Sequence, residues 1–263
     1  MKILVVGEHC LDNYVYGDCV RLSPEGPVPV LIPKEEKSYD GMAGNTFVNL
    51  LNIKDEDDQV KLISNRYVDH SVSCVKSRFI DIKTNQILLR VDTNDSFKRI
   101  TSFQLNKAIN ILEQDRFDLL IVSDYNKGFL TEADLVTLGR TASLSVLDSK
   151  RRLTQKIIDS FDIIKLNQKE YESNKDMFAD FSNRIKVVVT LGSNGVQFLD
   201  KIHPPPKKMQ TFDVSGAGDV FTATMGYYFC KTQNINYAIT IAQDYCSQVI
   251  QKRGTCVYEK DMD

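Results

Sequence analysis

Short runs rich in β-branched residues recur at 3–7, 60–64, 119–123, 145–148, 163–166 and 187–191, each apolar enough for a strand buried on both faces. Between several of them lie stretches with helical spacing, notably 102–114, 132–142 and 154–160. Strands alternating with helices of this length imply right-handed βαβ crossovers. The expected fold class is therefore α/β, a mainly parallel sheet with helices on both faces. Two more helical segments, near 217–230 and 237–251, close the chain. With 263 residues there is ample chain for one full hydrophobic core, so a single domain over 1–263 is expected.

Two segments depart from the alternation. Residues 14–37 have little helical periodicity and contain Pro24, Pro27, Pro29 and Pro33, which favours extended chain. Residues 77–92 alternate through Phe79, Ile80, Ile82, Ile87, Leu88, Leu89 and Val91, as paired antiparallel strands do. Together they are expected to form a small β-lid beside the α/β core. Exposed lid edges invite pairing with a second copy, so a homodimer through the lid is expected.

Bulk chemistry narrows the function. A net charge of −2 provides no global basic field for nucleic acid or an anionic membrane. The six cysteines are scattered without a C-x-x-C pair, which reads as reduced thiols and not as a zinc site or disulfide framework. The apolar run after Met1 is too short for a leader or a membrane span, so a cytoplasmic protein is expected. The acidic run at 55–58 reads as a solvated loop.

The chemically richest segment is Asp213-Val214-Ser215-Gly216-Ala217-Gly218-Asp219, placed just before a helical stretch. Small residues let backbone N–H groups approach an anion, and a helix start adds unsatisfied donors and a favourable dipole. Such a nest can hold the charge of a transferring phosphoryl group. Asp219, in the first turn, can accept a proton from an attacking hydroxyl. The plainer alternative is an ordinary helix cap with an acidic first turn. The segment is not a Walker A loop, because no Lys-Ser/Thr follows its glycines.

The D-x-x-G-A-G-D stretch resembles the signature of the ribokinase-like (PfkB) carbohydrate kinases. That resemblance implies a ribokinase-like fold, ATP as co-substrate and Mg²⁺, with Asp219 as catalytic base and Gly216, Ala217 and Gly218 as anion hole. Other pieces follow in the family's order. Gly41-Met42-Ala43-Gly44-Asn45 resembles the glycine-rich sugar motif, with Met42 in place of its second glycine. Asp12 stands where the family's Asp binds sugar hydroxyls. Asn167 and Glu170 match the N-x-x-E motif linked to phosphate and, indirectly, Mg²⁺. Thr190, Gly192 and Gly195 lie in a turn similar to the family's nucleotide-binding turn, and Asp213 opens the signature. Taken singly, Asp12 reads equally as a turn former, Asn45 and Asn167 as helix caps, Glu170 as a surface carboxylate, and 190–195 as a hairpin.

Within the family, the segment Asp12-Asn13-Tyr14-Val15-Tyr16-Gly17 followed by Arg21-Leu22-Ser23-Pro24-Glu25-Gly26-Pro27-Val28-Pro29-Val30 resembles D-glycero-D-manno-heptose-7-phosphate kinases. So do residues 88–92, 122–128, 147–150 and 252–255. These kinases are domains of bifunctional ADP-heptose synthesis proteins. The implied acceptor is a small-molecule sugar phosphate, O1 of the heptose 7-phosphate. Its dianion needs cationic partners, and Arg90, Lys127 and Lys150, together with Arg21 and Arg78, lie in or beside the matching segments. A solvated surface charge is the alternative for each.

The chain departs from that pattern in three places. It is shorter between residues 52 and 76 and after Glu170, and residues 242–245 carry larger polar and aromatic groups where the family is small beside adenine. No nucleotidyltransferase domain is expected after the kinase part. A related kinase for another sugar, or a non-catalytic sugar-phosphate-binding homologue, fits the same motifs.

Overall fold

The computed structural model describes residues 1–67, 74–115, 117–206, 214–251, 254 and 257–258. Along the chain run β1 (Lys2–Gly7), β2 (His9–Leu22), β3 (Pro29–Met42), α1 (Ala43–Ile53), β4 (Gln59–Ser64), β5 (Val75–Asp81) and β6 (Ile87–Thr93). Then come α2 (Ser102–Gln114), β7 (Leu119–Asp124), α3 (Glu132–Thr141), β8 (Ser145–Ser149), α4 (Gln155–Ser160) and β9 (Ile163–Asn167). The chain continues through α5 (Gln168–Asn174), α6 (Phe181–Arg184), β10 (Val187–Thr190), β11 (Val196–Phe198), β12 (Lys201–His203), α7 (Ala217–Thr232) and α8 (Ile235–Val249).

One eight-stranded sheet carries the order β12-β11-β10-β9-β8-β7-β1-β4. Its strands pair in parallel from β4 to β10, and β11 and β12 add an antiparallel edge. The two-residue period of a strand explains why β1 and β7 are apolar throughout. Leu4, Val6, Leu120 and Val122 join the core under α2, α3 and α4. Ile3, Val5, Leu119 and Ile121 join the opposite core under α1, α7 and α8. The expected α/β architecture, a mainly parallel sheet with helices on both faces, is thus present, and each β-branched run of the sequence is one of its parallel strands. No helix among the described residues is long and apolar enough to cross a membrane.

A second sheet, in the order β3-β2-β5-β6, forms the lid. It begins earlier than residue 14 and ends later than residue 92, because β2 leaves β1 after a single residue, Glu8. The 14–37 stretch is also not one strand. It folds back at a turn where the Ser23 N–H donates to Val28 O, with Pro24 and Pro27 inside the turn. Pro29 and Pro33 fall on β3, the edge strand, where a missing N–H costs no ladder bond on the open side. Cross-strand register puts Asp12, Lys76 and Asp92 side by side, and likewise Tyr14, Arg78 and Arg90. The other face of the lid carries Leu89 and Val91, which are exposed, as are Val20, Leu22, Val28 and Ile32 toward its far end.

Candidate active site

Parallel α/β sheets gather ligands at the carboxyl ends of their strands. Here those ends bring Glu8, Asp124, Asp148, Asn167 and Thr190 to one edge, and α7 starts above them. Gly216 is the N-cap of α7, with φ 82°, a left-handed conformation in which a side chain would be strained. Asp219 follows in the first turn and is 4% exposed.

Both oxygens of the Asp219 carboxylate are engaged. Asn45 Nδ2 donates to Oδ2 at 3.1 Å and to the Gly216 carbonyl at 3.3 Å. The Tyr125 hydroxyl donates to Oδ1 at 3.0 Å. Asn49 Nδ2 donates to Asn45 Oδ1 at 2.9 Å, which fixes which way the Asn45 amide points. Burial, reinforced by the neighbouring Asp148 carboxylate, pushes the Asp219 carboxyl up to about 6; Asn45, Lys165 and Tyr125 act in the opposite sense. The group is thereby poised close to neutral pH, where a general base is most effective.

Asp148 and Lys165 supply the buried charge beside it. Lys165 Nζ meets Asp148 Oδ2 at 3.0 Å, and Thr222 Oγ1 donates to the same oxygen at 2.9 Å. Burial opposes the Lys165 charge, yet Asp148, Glu170 and Asp219 around it raise its pKa and hold it protonated. A Cβ added to Gly218 would lie 3.1 Å from Lys165 Nζ, so this ammonium sits directly under the glycine-led helix start. Lys165 lies outside the family-like motifs of the sequence. Its signal was a lysine inside the apolar run Ile163-Ile164-Lys165-Leu166, two residues before Asn167.

On the lid side, Asp12 is no turn former: it lies within β2 and pairs with Arg78 at 2.6 Å, both nearly enclosed. Arg78 is accordingly not a surface charge, and its guanidinium stands 4.9 Å from the Tyr14 ring centre. Gly41 is held to a glycine by close approach, since a Cβ there would come 2.3 Å from Asp12 Oδ2 and 2.6 Å from Cys10 Sγ. Met42 adopts φ 58° and ψ −132°, a conformation glycine takes freely and a side chain takes only at a cost of about 1–3 kcal/mol. Asn45 caps nothing; it is inside α1 and faces Asp219.

The remaining candidates are distributed. Lys150 lies over the Tyr125 ring, 3.7 Å from its centre, and Lys76 approaches the same ring at 5.5 Å. Desolvation lowers the Lys150 pKa against the pull of Asp148, Asp219 and Glu170. Lys127 is tied to Asp95. Arg90 gives two 2.7 Å N–H bonds to Asp92 and stays half-exposed on β6, and Arg21 is exposed. Asn167 and Glu170 form a reciprocal cap at the start of α5: Asn167 Oδ1 accepts from the Glu170 N–H, and Glu170 Oε2 from the Asn167 N–H. Burial raises the Glu170 pKa, with Asn167, Lys165 and Lys150 resisting. Thr190, Gly192 and Gly195 lie at the turn from β10 into β11. Asp213 lies outside the described residues, as do Lys252, Arg253 and Thr255 of the matching segments.

Residues 141–261 match the family model for pfkB family carbohydrate kinases. The chain is 28% identical over 290 residues to the bifunctional protein HldE of Nitratiruptor sp., covering 96% of this chain and 62% of that protein. It is 29% identical over 297 residues to the bifunctional protein HldE of Helicobacter pylori strain J99, covering 97% and 64%. The chain thus spans less than two thirds of the length of these relatives. Among solved structures, ribokinase from Thermotoga maritima superposes with a TM-score of 0.69 at 20% identity, covering 96% of this chain and 94% of that one. Phosphofructokinase-2 from Escherichia coli gives 0.70 at 13% identity, covering 99% and 96%. Gly216–Asp219 thus lies inside the segment that matches the pfkB family carbohydrate kinase model, within a ribokinase-like fold.

Proposed function

We propose that this chain transfers the γ-phosphate of ATP to a hydroxyl of a sugar phosphate, with O1 of D-glycero-D-manno-heptose 7-phosphate as the preferred acceptor. The observation that carries the reading is the Asp219 carboxylate, buried at a glycine-led helix start and held by Asn45 and Tyr125. In this reading the acceptor hydroxyl donates its proton to Asp219 as it attacks in line. The start of α7 and the Lys165 ammonium below it stabilise charge on the transferring group. Most of the acceleration comes from positioning and electrostatics, since an aspartate near pH 7 is a modest base.

The heptose assignment rests on the lid sequence and on the HldE relatives. The lid face bearing Asp12, Lys76, Arg78 and Arg90 offers a hydroxyl acceptor and several cations, a composition suited to a sugar carrying a dianion. Mg²⁺ bound through nucleotide phosphates needs only one or two protein carboxylates. Mg²⁺ would therefore be held chiefly by the nucleotide phosphates, with few protein groups. Glu170, partly exposed beside Asn167, is the carboxylate that would serve it, and the metal would neutralise the phosphate charge. The apolar outer face of the lid is the surface through which we expect two copies to pair.

The test is a coupled ADP-release screen over heptose 7-phosphate, other sugar phosphates and free sugars, run with the wild type and Asp219→Asn. Acceptor-dependent turnover that falls by about 10²–10⁴-fold in the variant, with binding retained, is the expected result. Undiminished turnover in Asp219→Asn would remove the assignment. Absence of nucleotide binding by calorimetry would instead favour a non-catalytic sugar-phosphate-binding protein.

A further inference from the structure

We propose that Tyr125 is a positioning residue for the Asp219 carboxylate: its hydroxyl, opposing the Asn45 amide, sets which side of the carboxylate is left for the acceptor. The inference rests on the kinase reading above.

Three observations place Tyr125 in this role. Its hydroxyl and the Asn45 amide bond to different oxygens of Asp219, at 3.0 and 3.1 Å, so together they fix the rotation of the carboxylate about its Cβ–Cγ bond. The two donors come from unrelated parts of the chain, the loop after β7 and helix α1, so neither follows from the local fold of α7. The Tyr125 backbone is itself anchored. The buried Glu8 carboxylate accepts from the N–H groups of Tyr125 at 2.5 Å, Lys127 at 2.8 Å and Phe129 at 3.4 Å. One carboxylate at the end of β1 thus holds the loop that holds the base.

The chemistry is consistent with a donor and not a second base. Burial and the flanking Asp219 and Asp148 carboxylates raise the Tyr125 pKa well above that of a free phenol, so it stays protonated. A bond donated to a carboxylate favours the ionised form. The charged groups facing Asp219 are Asp148 on β8, which raises its pKa, and Lys165 on β9, which lowers it; Lys150, beyond β8, is also felt. Removing the Tyr125 hydroxyl takes away one stabilising donor and leaves that balance tilted toward the protonated acid. Lys150 and Lys76 at the ring keep their aromatic partner if only the hydroxyl is deleted.

Tyr125→Phe is therefore the informative variant. The Asp219 carboxyl is followed by ¹³C NMR in protein labelled at aspartate Cγ, assigned with Asp219→Asn, and titrated without substrates. The expected result is an upward displacement of the Asp219 midpoint in Tyr125→Phe by about half to one pH unit. Acceptor-dependent kcat should fall roughly three- to tenfold at pH 7, with KM for ATP within about twofold and part of the loss recovered at pH 8.5. An unchanged Asp219 titration with intact circular dichroism overturns the proposal. Because that titration needs no turnover, it stands apart from the kinase reading: a shifted midpoint in a protein without kinase activity would sink the function and spare the contact.

Discussion

Asn45 and Asp219, separated by 174 positions in the chain, meet at 3.1 Å through the Asn45 amide and Asp219 Oδ2. The contact joins the start of α1 to the start of α7, and the same amide also reaches the Gly216 carbonyl. An asparagine of the glycine-rich segment 41–45 thereby touches the carboxylate proposed as the base.

Asn45→Ala should lower kcat by about tenfold through loss of one oriented donor, with a smaller effect on KM for ATP. Steady-state kinetics with ATP and the acceptor varied in turn check this. A change confined to KM for the acceptor would mean that Asn45 serves only the sugar.

The raised Asp219 pKa carries a sign for stability. In the unfolded chain this carboxyl ionises near 3.8, whereas in the fold it keeps its proton up to about 6. Its contribution is complete below the unfolded value and is lost as pH rises through the folded one, so at pH 7 to 8 the buried charge is a cost. Asp219→Asn should therefore raise the Tm by a few degrees at pH 7.5, with the gain shrinking toward pH 4. Differential scanning fluorimetry across pH 4–8 measures it; a gain largest at low pH would contradict the assignment.

Lys165→Met breaks a buried ion pair and leaves the Asp148 carboxylate uncompensated beside Asp219. A loss of roughly 3 kcal/mol is expected in denaturant unfolding. Lys165→Met combined with Asp148→Asn should recover part of it, because no lone charge then remains buried. A double variant no better than the single one would show that packing around Lys165, and not its charge, is what the fold needs.

Leu89 and Val91 stand exposed on the outer face of the lid sheet. If two copies pair there, the wild type should sediment as a dimer at micromolar concentration, and Leu89→Asp as a monomer with unchanged circular dichroism. A monomeric wild type would end the lid-pairing reading.

The layered α/β core is legible in local pattern alone, because strands such as β1 must be apolar on both faces and the helices between them carry a 3.6-residue stripe. The sequence also marked the helix start at Gly216–Asp219, since glycines before an apolar helix and an acidic first turn are local features. The bland alternatives for Asn167 and for residues 190–195 were legible too, as the cap of α5 and the turn between β10 and β11. Which distant groups surround Asp219 depends on how the strands are brought together in space. Tyr125, Lys165 and Asp148 sit on separate strand ends, and parallel crossovers bring those ends together without leaving any short-range mark in the sequence. The same holds for Arg78 and Arg90, which are alike as letters. The Arg78 guanidinium reaches diagonally across the lid strands to the buried Asp12, whereas Arg90 is left with Asp92 at the half-exposed edge, because burial and charge pairing are properties of position and not of residue type.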